Sequence, residues 1–232
     1  MFHRGRSGST VLGGMLDQHP HVYWDREVFN RSLRRPSSLD DPFRFLARRM
    51  ARAGSSYYGF EMKPIHLKTL HIVIDDFLRA LEELRFTHFI VLERRNYLRR
   101  LLSGMIADKS NVYHRTPKDP VSHAQVHIDV ACVGDSEIPL LDLLNTYEEF
   151  YVSLRNSLTE KKTLWLTYED DILDDPVVAY DKALRFLELE AADPPQIWYG
   201  RTNPFHVKEL VSNFDEVENA LRGTRFSWML YE

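Results

Sequence analysis

The stretch Arg4-Gly5-Arg6-Ser7-Gly8-Ser9-Thr10-Val11-Leu12 combines the residue types that grip a phosphate. Small residues let a backbone close on an anion. Successive N–H groups at a helix start then point at it and add the positive end of the helix dipole. Ser7, Ser9 and Thr10 offer hydroxyl donors, and Arg6 offers a fixed positive charge. The same composition also suits an ordinary Ser/Gly-rich helix cap, so these residues alone leave both readings open. A nucleoside-triphosphate loop of the form G-x-x-x-x-G-K-[ST] fits poorly: no Gly-Lys pair exists, and the cation precedes the glycine. Arg94, Arg95, Arg99 and Arg100 form a second basic cluster, which by itself reads as a charged surface. His123 and His127 stand four apart, a spacing open to metal ligands, but no carboxylate motif accompanies them.

These residues need elements to hold them. Val11, Leu12, Met15 and Leu16 mark one face of a short helix directly after the loop. Pro20–Phe29 is aromatic and is expected to be irregular. Residues 37–42 read as a loop opening a helix at about Phe43–Ala53. Tyr57–Met62 reads as a short strand, and Leu67 through Leu84 keep the spacing of one helix face. His88–Leu92 reads as a buried strand, followed by a helix carrying Leu98, Leu101, Leu102, Met105 and Ile106. Residues 109–136 are polar and unassigned. Pro139–Leu158 is predicted helical, Thr163–Thr167 a strand, and Asp175-Pro176 the cap and first position of a helix through Glu188. A last helix is expected within Ser212–Leu221. Strands alternating with helices predict an α/β fold, a three-layer parallel sheet flanked by helices, with ligands at the carboxyl ends of the strands.

The 232 residues suit a single domain spanning 1–232. Lys and Arg number 19 against 12 Asp and Glu in residues 1–110, and 11 against 22 in the rest. That asymmetry fits an anionic ligand held by the first half. Arg outnumbers Lys 22 to 8, which suits forked phosphate contacts. There is no basic tail, no interleaved basic–aromatic stripe and no zinc spacing, so no nucleic acid is expected as partner. No apolar run approaches a transmembrane span, and no secretory signal pattern is visible. Cys132 is the single cysteine, which rules out an internal disulfide and points to a reducing, cytoplasmic location.

Arg6-Ser7-Gly8-Ser9-Thr10, with the cation ahead of the glycine and an apolar residue next, resembles the 5′-phosphosulfate loop of sulfotransferases, in the Arg form of the carbohydrate and bacterial branches. These enzymes use PAPS (3′-phosphoadenylyl sulfate) as sulfuryl donor and release PAP. They grip the 3′-phosphate with an Arg just after a buried strand and a Ser eight residues later; Arg95 and Ser103 match that spacing. Trp24–Phe29, Tyr57–Lys63, Trp165–Asp170 and Asn213–Trp228 resemble further family segments, with less specific motifs. The chain departs from the family in the lead-in. Only Met1-Phe2-His3 precede Arg4, so the first strand is expected to be trimmed or very short.

The resemblance implies a P-loop-like nucleotide-binding architecture and roles for individual residues. Arg6, Ser7, Gly8, Ser9, Thr10 and Val11 would bind the 5′ end of PAPS, and Arg6 would also stabilise the leaving oxygen. Glu27 would be the base, with Asp25 as competitor; otherwise Glu27 is a surface carboxylate paired with Arg26 or Arg31. His66, three residues after Lys63, is the alternative base, and Lys63 would assist the sulfuryl oxygens. No metal is implied. The acceptor would be a small molecule or carbohydrate, and Tyr23, Trp24, Tyr57 and Tyr58 could stack on it or belong to the core. Two other functions stay open: a P-loop-type nucleotide kinase, and a catalytically inactive PAP- or PAPS-binding module.

Overall fold

The computed structural model describes residues 1–30, 41–121, 123–134 and 137–231. The chain is a mixed α/β protein with short parallel sheets and, among the described residues, ten α-helices. It divides into two compact units: residues 1–93 with 153–197, and residues 94–152 with 198–232.

The first unit carries all four strands found among the described residues. β1 (Val22–Trp24) pairs with β2 (Tyr57–Gly59), and β3 (Phe89–Glu93) pairs with β4 (Thr163–Thr167), both in parallel. Phe2 joins the two pairs. It forms parallel bridges to Met62, just beyond β2, and to Val91 of β3. Its N–H donates to the Ile90 carbonyl at 2.8 Å, and its carbonyl accepts from Leu92 N–H at 2.9 Å. The expected first strand is therefore present as one ladder residue, and it lies between β2 and β3.

β3 is buried at all five positions, as a continuous apolar run predicts for a parallel strand covered on both faces. Ile90 and Leu92 pack with Leu166 of β4, with Leu12, Met15 and Leu16 of α1 (Ser9–Leu16), and with Ala179, Tyr180, Ala183 and Leu184 of a later helix (Val177–Phe186). Phe2 stacks on Phe89 and meets Phe77 edge-on, and Phe29 meets Phe60 and Phe77 edge-on. Edge-to-face pairs of this kind satisfy the ring quadrupoles.

Several expectations shift. Pro20–Phe29 is not wholly irregular, because β1 forms inside it. After α2 (Pro42–Met50), the Leu67–Leu84 stretch is two helices, α3 (Pro64–Leu70) and α4 (Ile74–Glu83). His71, at φ 55, ends α3 in the left-handed region while the leucine spacing runs on. The helix expected from Phe43 starts at Pro42, where the Asp41 carboxylate accepts from Phe43 and Arg44 N–H. Of the loop read over 37–42, residues 37–40 lie outside the described residues.

In the second unit, Asn96 caps α5 (Tyr97–Ser110) by accepting from Arg99 N–H, and its amide donates to the Met229 carbonyl. Tyr97 stacks on Tyr151 and meets Phe226 edge-on. Asn213 clasps the otherwise irregular 123–134 stretch, accepting from Ile128 N–H and donating to its carbonyl. Among the described residues no helix is long and apolar enough to cross a membrane.

Candidate anion site

The loop follows Phe2 at the carboxyl end of its ladder position, where parallel sheets bind ligands. Gly5 (φ 77), Arg6 (φ 57) and Gly8 (φ 86) all take left-handed backbone. For Arg6 that conformation costs about 1–2 kcal/mol, a strain that persists only where the surroundings hold it. Gly8 caps α1, and its carbonyl accepts from Val11 and Leu12 N–H. The N–H groups of Ser9 and Thr10, one and two places into the helix, have no intrahelical acceptor. Ser7 is fully buried and its hydroxyl donates to the Gly5 carbonyl at 3.2 Å, so it braces the turn. Ser9 is buried, and Thr10 and Val11 are half-buried. A Cβ at Gly8 would lie 2.7 Å from Ile172 Cγ2, so both backbone angle and space call for glycine there.

Lys63 and Glu27 stand against this loop. A Cβ at Gly5 would lie 3.5 Å from Lys63 Cε and 3.7 Å from its Nζ, which places the ammonium over the loop backbone. Lys63 Nζ contacts Glu27 Oε1 at 2.5 Å, and the Glu27 side chain is about a quarter exposed. His66, fully buried in the first turn of α3, accepts the Lys63 N–H on Nδ1 at 3.2 Å. Its Nε2 is 3.7 Å from Glu27 Oε2. Burial, then the Lys63 charge, push the imidazole down to about 4, so the ring is neutral near pH 7. With Nδ1 accepting, its proton sits on Nε2, facing Glu27.

A buried polar network underlies the turn. Gly5 N–H donates to His3 Nδ1 at 3.0 Å, and His3 Nε2 lies 3.0 Å from Glu61 Oε2. The separation is that of a hydrogen bond, yet the ring N–H is poorly aligned on the carboxylate, so the contact is one of close packing between the ring edge and the carboxylate. Glu61 Oε1 accepts from Trp24 Nε1 at 3.0 Å. Burial raises the Glu61 carboxyl, but the His3 contact and the Trp24 donor outweigh it and bring it to about 2. The Trp24 indole is seated between Gly13 and Gly59: a Cβ at either would come within 2.5 Å of an indole atom. Sequence reasoning passed over His3 and Glu61 and left Trp24 between core and ligand. The signal for Glu61 was a carboxylate within an apolar strand segment, Gly59-Phe60-Glu61-Met62.

The other candidates sort by contact. Asp25 accepts from Arg49 through both carboxylate oxygens and from Tyr58 Oη at 2.7 Å, so it is committed as a clamp. Burial and then the bond to Asp25 raise the Tyr58 hydroxyl. Arg26 lies 4.0 Å from Asp17, so Glu27 takes Lys63 as its partner, and Arg31 lies outside the described residues. Tyr23 stacks on Tyr58. Tyr57 and Tyr58 line a cavity of about 310 Å³ with Phe86 and His88, and the same cavity reaches Phe2 and Met62. In the second unit, Arg95 is exposed just past β3, and Ser103 is buried within α5.

Among the described residues, ligand-type atoms of three acidic or histidine side chains converge at His3, Glu27 and Glu61, all within 4.8 Å. The Lys63 ammonium already supplies positive charge to Glu27 there. His123 packs its ring edge-on against Phe205. The exposed Cys132 carries a free thiol. The chain matches no protein-family model, no curated protein and no solved structure.

Proposed function

We propose that this chain is a sulfotransferase that moves a sulfuryl group from PAPS to an acceptor hydroxyl. One observation carries the reading: a left-handed phosphate-type loop at the head of α1 has a carboxylate–lysine pair, Glu27–Lys63, set directly against it. A loop that only capped a helix needs no such pair. The central ladder position of Phe2, and apolar packing on both faces of β3, support a three-layer P-loop-like sheet under it.

In this reading the acceptor oxygen attacks sulfur in line with the bond to the 5′-phosphate. A new S–O bond forms as Glu27 takes the acceptor proton. The bond from sulfur to the bridging oxygen breaks, and its electron pair stays on the phosphate of PAP. Arg6 and the N–H groups of Ser9 and Thr10 face that growing negative charge. Lys63 neutralises the sulfuryl oxygens and moves off Glu27 as the donor arrives. His66 stands beside Glu27 as a neutral ring, its protonated Nε2 3.7 Å away and its basicity depressed by burial. That favours Glu27 over His66 as base. Arg95 and Ser103 take the 3′-phosphate, as the resemblance assigns them.

The test is a thermal-shift titration with PAP and, separately, with ATP plus Mg²⁺. At a hundredfold excess over its Kd, PAP adds about 2.7 kcal/mol. For a chain of this size that raises Tm by about 5–10 °C. Stabilisation by ATP–Mg²⁺ and not by PAP would overturn the proposal in favour of a kinase. PAP binding without PAPS turnover on any acceptor hydroxyl would leave a binding module.

A further inference from the structure

His3 and Glu61 are both buried and are not used by the chemistry above. A buried carboxylate against a buried imidazole is costly unless it does something an apolar pair could not. Its far end reaches the loop. Gly5 N–H points at His3 Nδ1, so that nitrogen must be bare and the ring proton must sit on Nε2, beside Glu61. Were the proton on Nδ1, two N–H groups would face each other at 3.0 Å across the first residue of the left-handed turn.

We propose that Glu61 is a positioning residue for the phosphate loop: acting through His3, it fixes the ring tautomer whose Nδ1 accepts the Gly5 N–H, and so holds the turn that presents Arg6. Trp24 anchors the carboxylate from the other side. Indole N–H can only donate, so Glu61 Oε1 is committed as an acceptor and Oε2 is left for His3. The consequence is specific to chemistry, not to shape. In Glu61→Gln the amide oxygen goes to Trp24, since the indole accepts no donor. The amide N–H₂ then faces His3, which must accept on Nε2 and carry its proton on Nδ1. The volume is conserved and the Gly5 bond is lost.

The inference rests on the phosphate-binding reading of the loop, and the experiment separates the two. The ring nitrogens of His3 are read by ¹⁵N NMR in the unliganded wild-type protein and in Glu61→Gln. The wild-type ring is expected as the Nε2–H tautomer and the variant ring as Nδ1–H. PAP affinity, measured by calorimetry, is expected to fall about fivefold to tenfold, the worth of one hydrogen bond. His3→Asn supplies the control. Its side-chain oxygen accepts the Gly5 N–H as an Asx turn, with no tautomer to set. In that background Glu61→Gln should cost less than twofold in affinity. An equal loss in both backgrounds, or an Nδ1–H ring in the wild type, overturns the positioning role. If PAP fails to bind the wild type at all, the sulfotransferase reading falls, while the tautomer measurement still decides the role of Glu61.

Discussion

Gly13→Ala tests the packing beneath the loop, because local and tertiary physics give opposite signs. Gly13 lies inside α1, and in a helix interior Ala exceeds Gly by about 1 kcal/mol. Its backbone needs no left-handed angle, so propensity alone predicts stabilisation. The surroundings predict the reverse. The new Cβ would lie 2.5 Å from Trp24 Nε1, 3.0 Å from Trp24 Cδ1 and 2.9 Å from Glu61 Oε1. Those atoms are buried and rigidly paired, so they cannot yield as a flexible chain end would. Overpacking of this kind costs about 1–3 kcal/mol. Separating Trp24 from Glu61 leaves buried polar groups unsatisfied for about another 1–3 kcal/mol. After the propensity gain, the net loss is about 1–5 kcal/mol. Gly104→Ala is the matched control: Gly104 sits inside α5 with nothing within 4 Å of a Cβ. It should stabilise by up to about 1 kcal/mol. Thermal melts of the two variants beside the wild type read the comparison. If Gly13→Ala raises Tm as Gly104→Ala does, the Trp24–Glu61 packing described here is wrong.

Glu27→Gln should cut sulfuryl transfer by about 10²–10⁴-fold while PAP still binds within a few-fold of wild type; radiolabelled PAPS turnover reads the first and calorimetry the second. Equal losses in both would make Glu27 a binding residue instead of the base. Arg95→Ala should weaken PAP by about tenfold or more, the worth of a charged hydrogen bond. It should leave adenosine 5′-phosphosulfate, which lacks the 3′-phosphate, nearly untouched, and equal losses would remove Arg95 from that role. His66 gives stability a defined pH slope. Its folded value is depressed to about 4 from 6.5, so below pH 6.5 the unfolded chain takes up a proton that the folded chain does not. Its contribution is full above pH 6.5 and is lost as pH falls toward 4, amounting to about 3 kcal/mol. Urea melts across that range should flatten by this amount in His66→Asn, and an unchanged slope would place the titration elsewhere.

The parts of the fold legible in the sequence are those written in a short window. β3 and β4 lie within a residue of where their apolar runs put them, and α1 follows the loop as its spacing requires. β1 was hidden because three residues cannot establish an alternation; it forms because β2 offers it a ladder. The break at His71 was hidden because Leu67, Leu70 and Ile74 keep the helical period across it, and periodicity does not register one left-handed residue. Asp25 and Glu27 look alike in sequence, two places apart on one segment. Only tertiary contact separates them, since Arg49 and Tyr58 engage Asp25 while Lys63 reaches Glu27. The network beneath the loop draws on residues 3, 24 and 61, and no local pattern links those positions.

The single ladder residue Phe2 carries a consequence for how the first unit breathes. Each strand pair closes its own hydrogen bonds, and residues 1–3 stitch one to the other: Met1 and His3 bond to Met62, and Phe2 bonds to Ile90 and Leu92. Such a seam is the natural boundary between two cooperative exchange units. Amides of β1 and β2 should then exchange with one opening free energy and those of β3 and β4 with another. The turn that follows Phe2 would open with such a seam. An anion seated on that turn can bind only when the seam is shut, so occupancy at the loop is linked thermodynamically to closure between the two pairs. A nucleotide bound there would then act as a fastener for the sheet as well as a reactant, slowing exchange of the Phe2 and Leu92 amides, whose ladder bonds adjoin the loop.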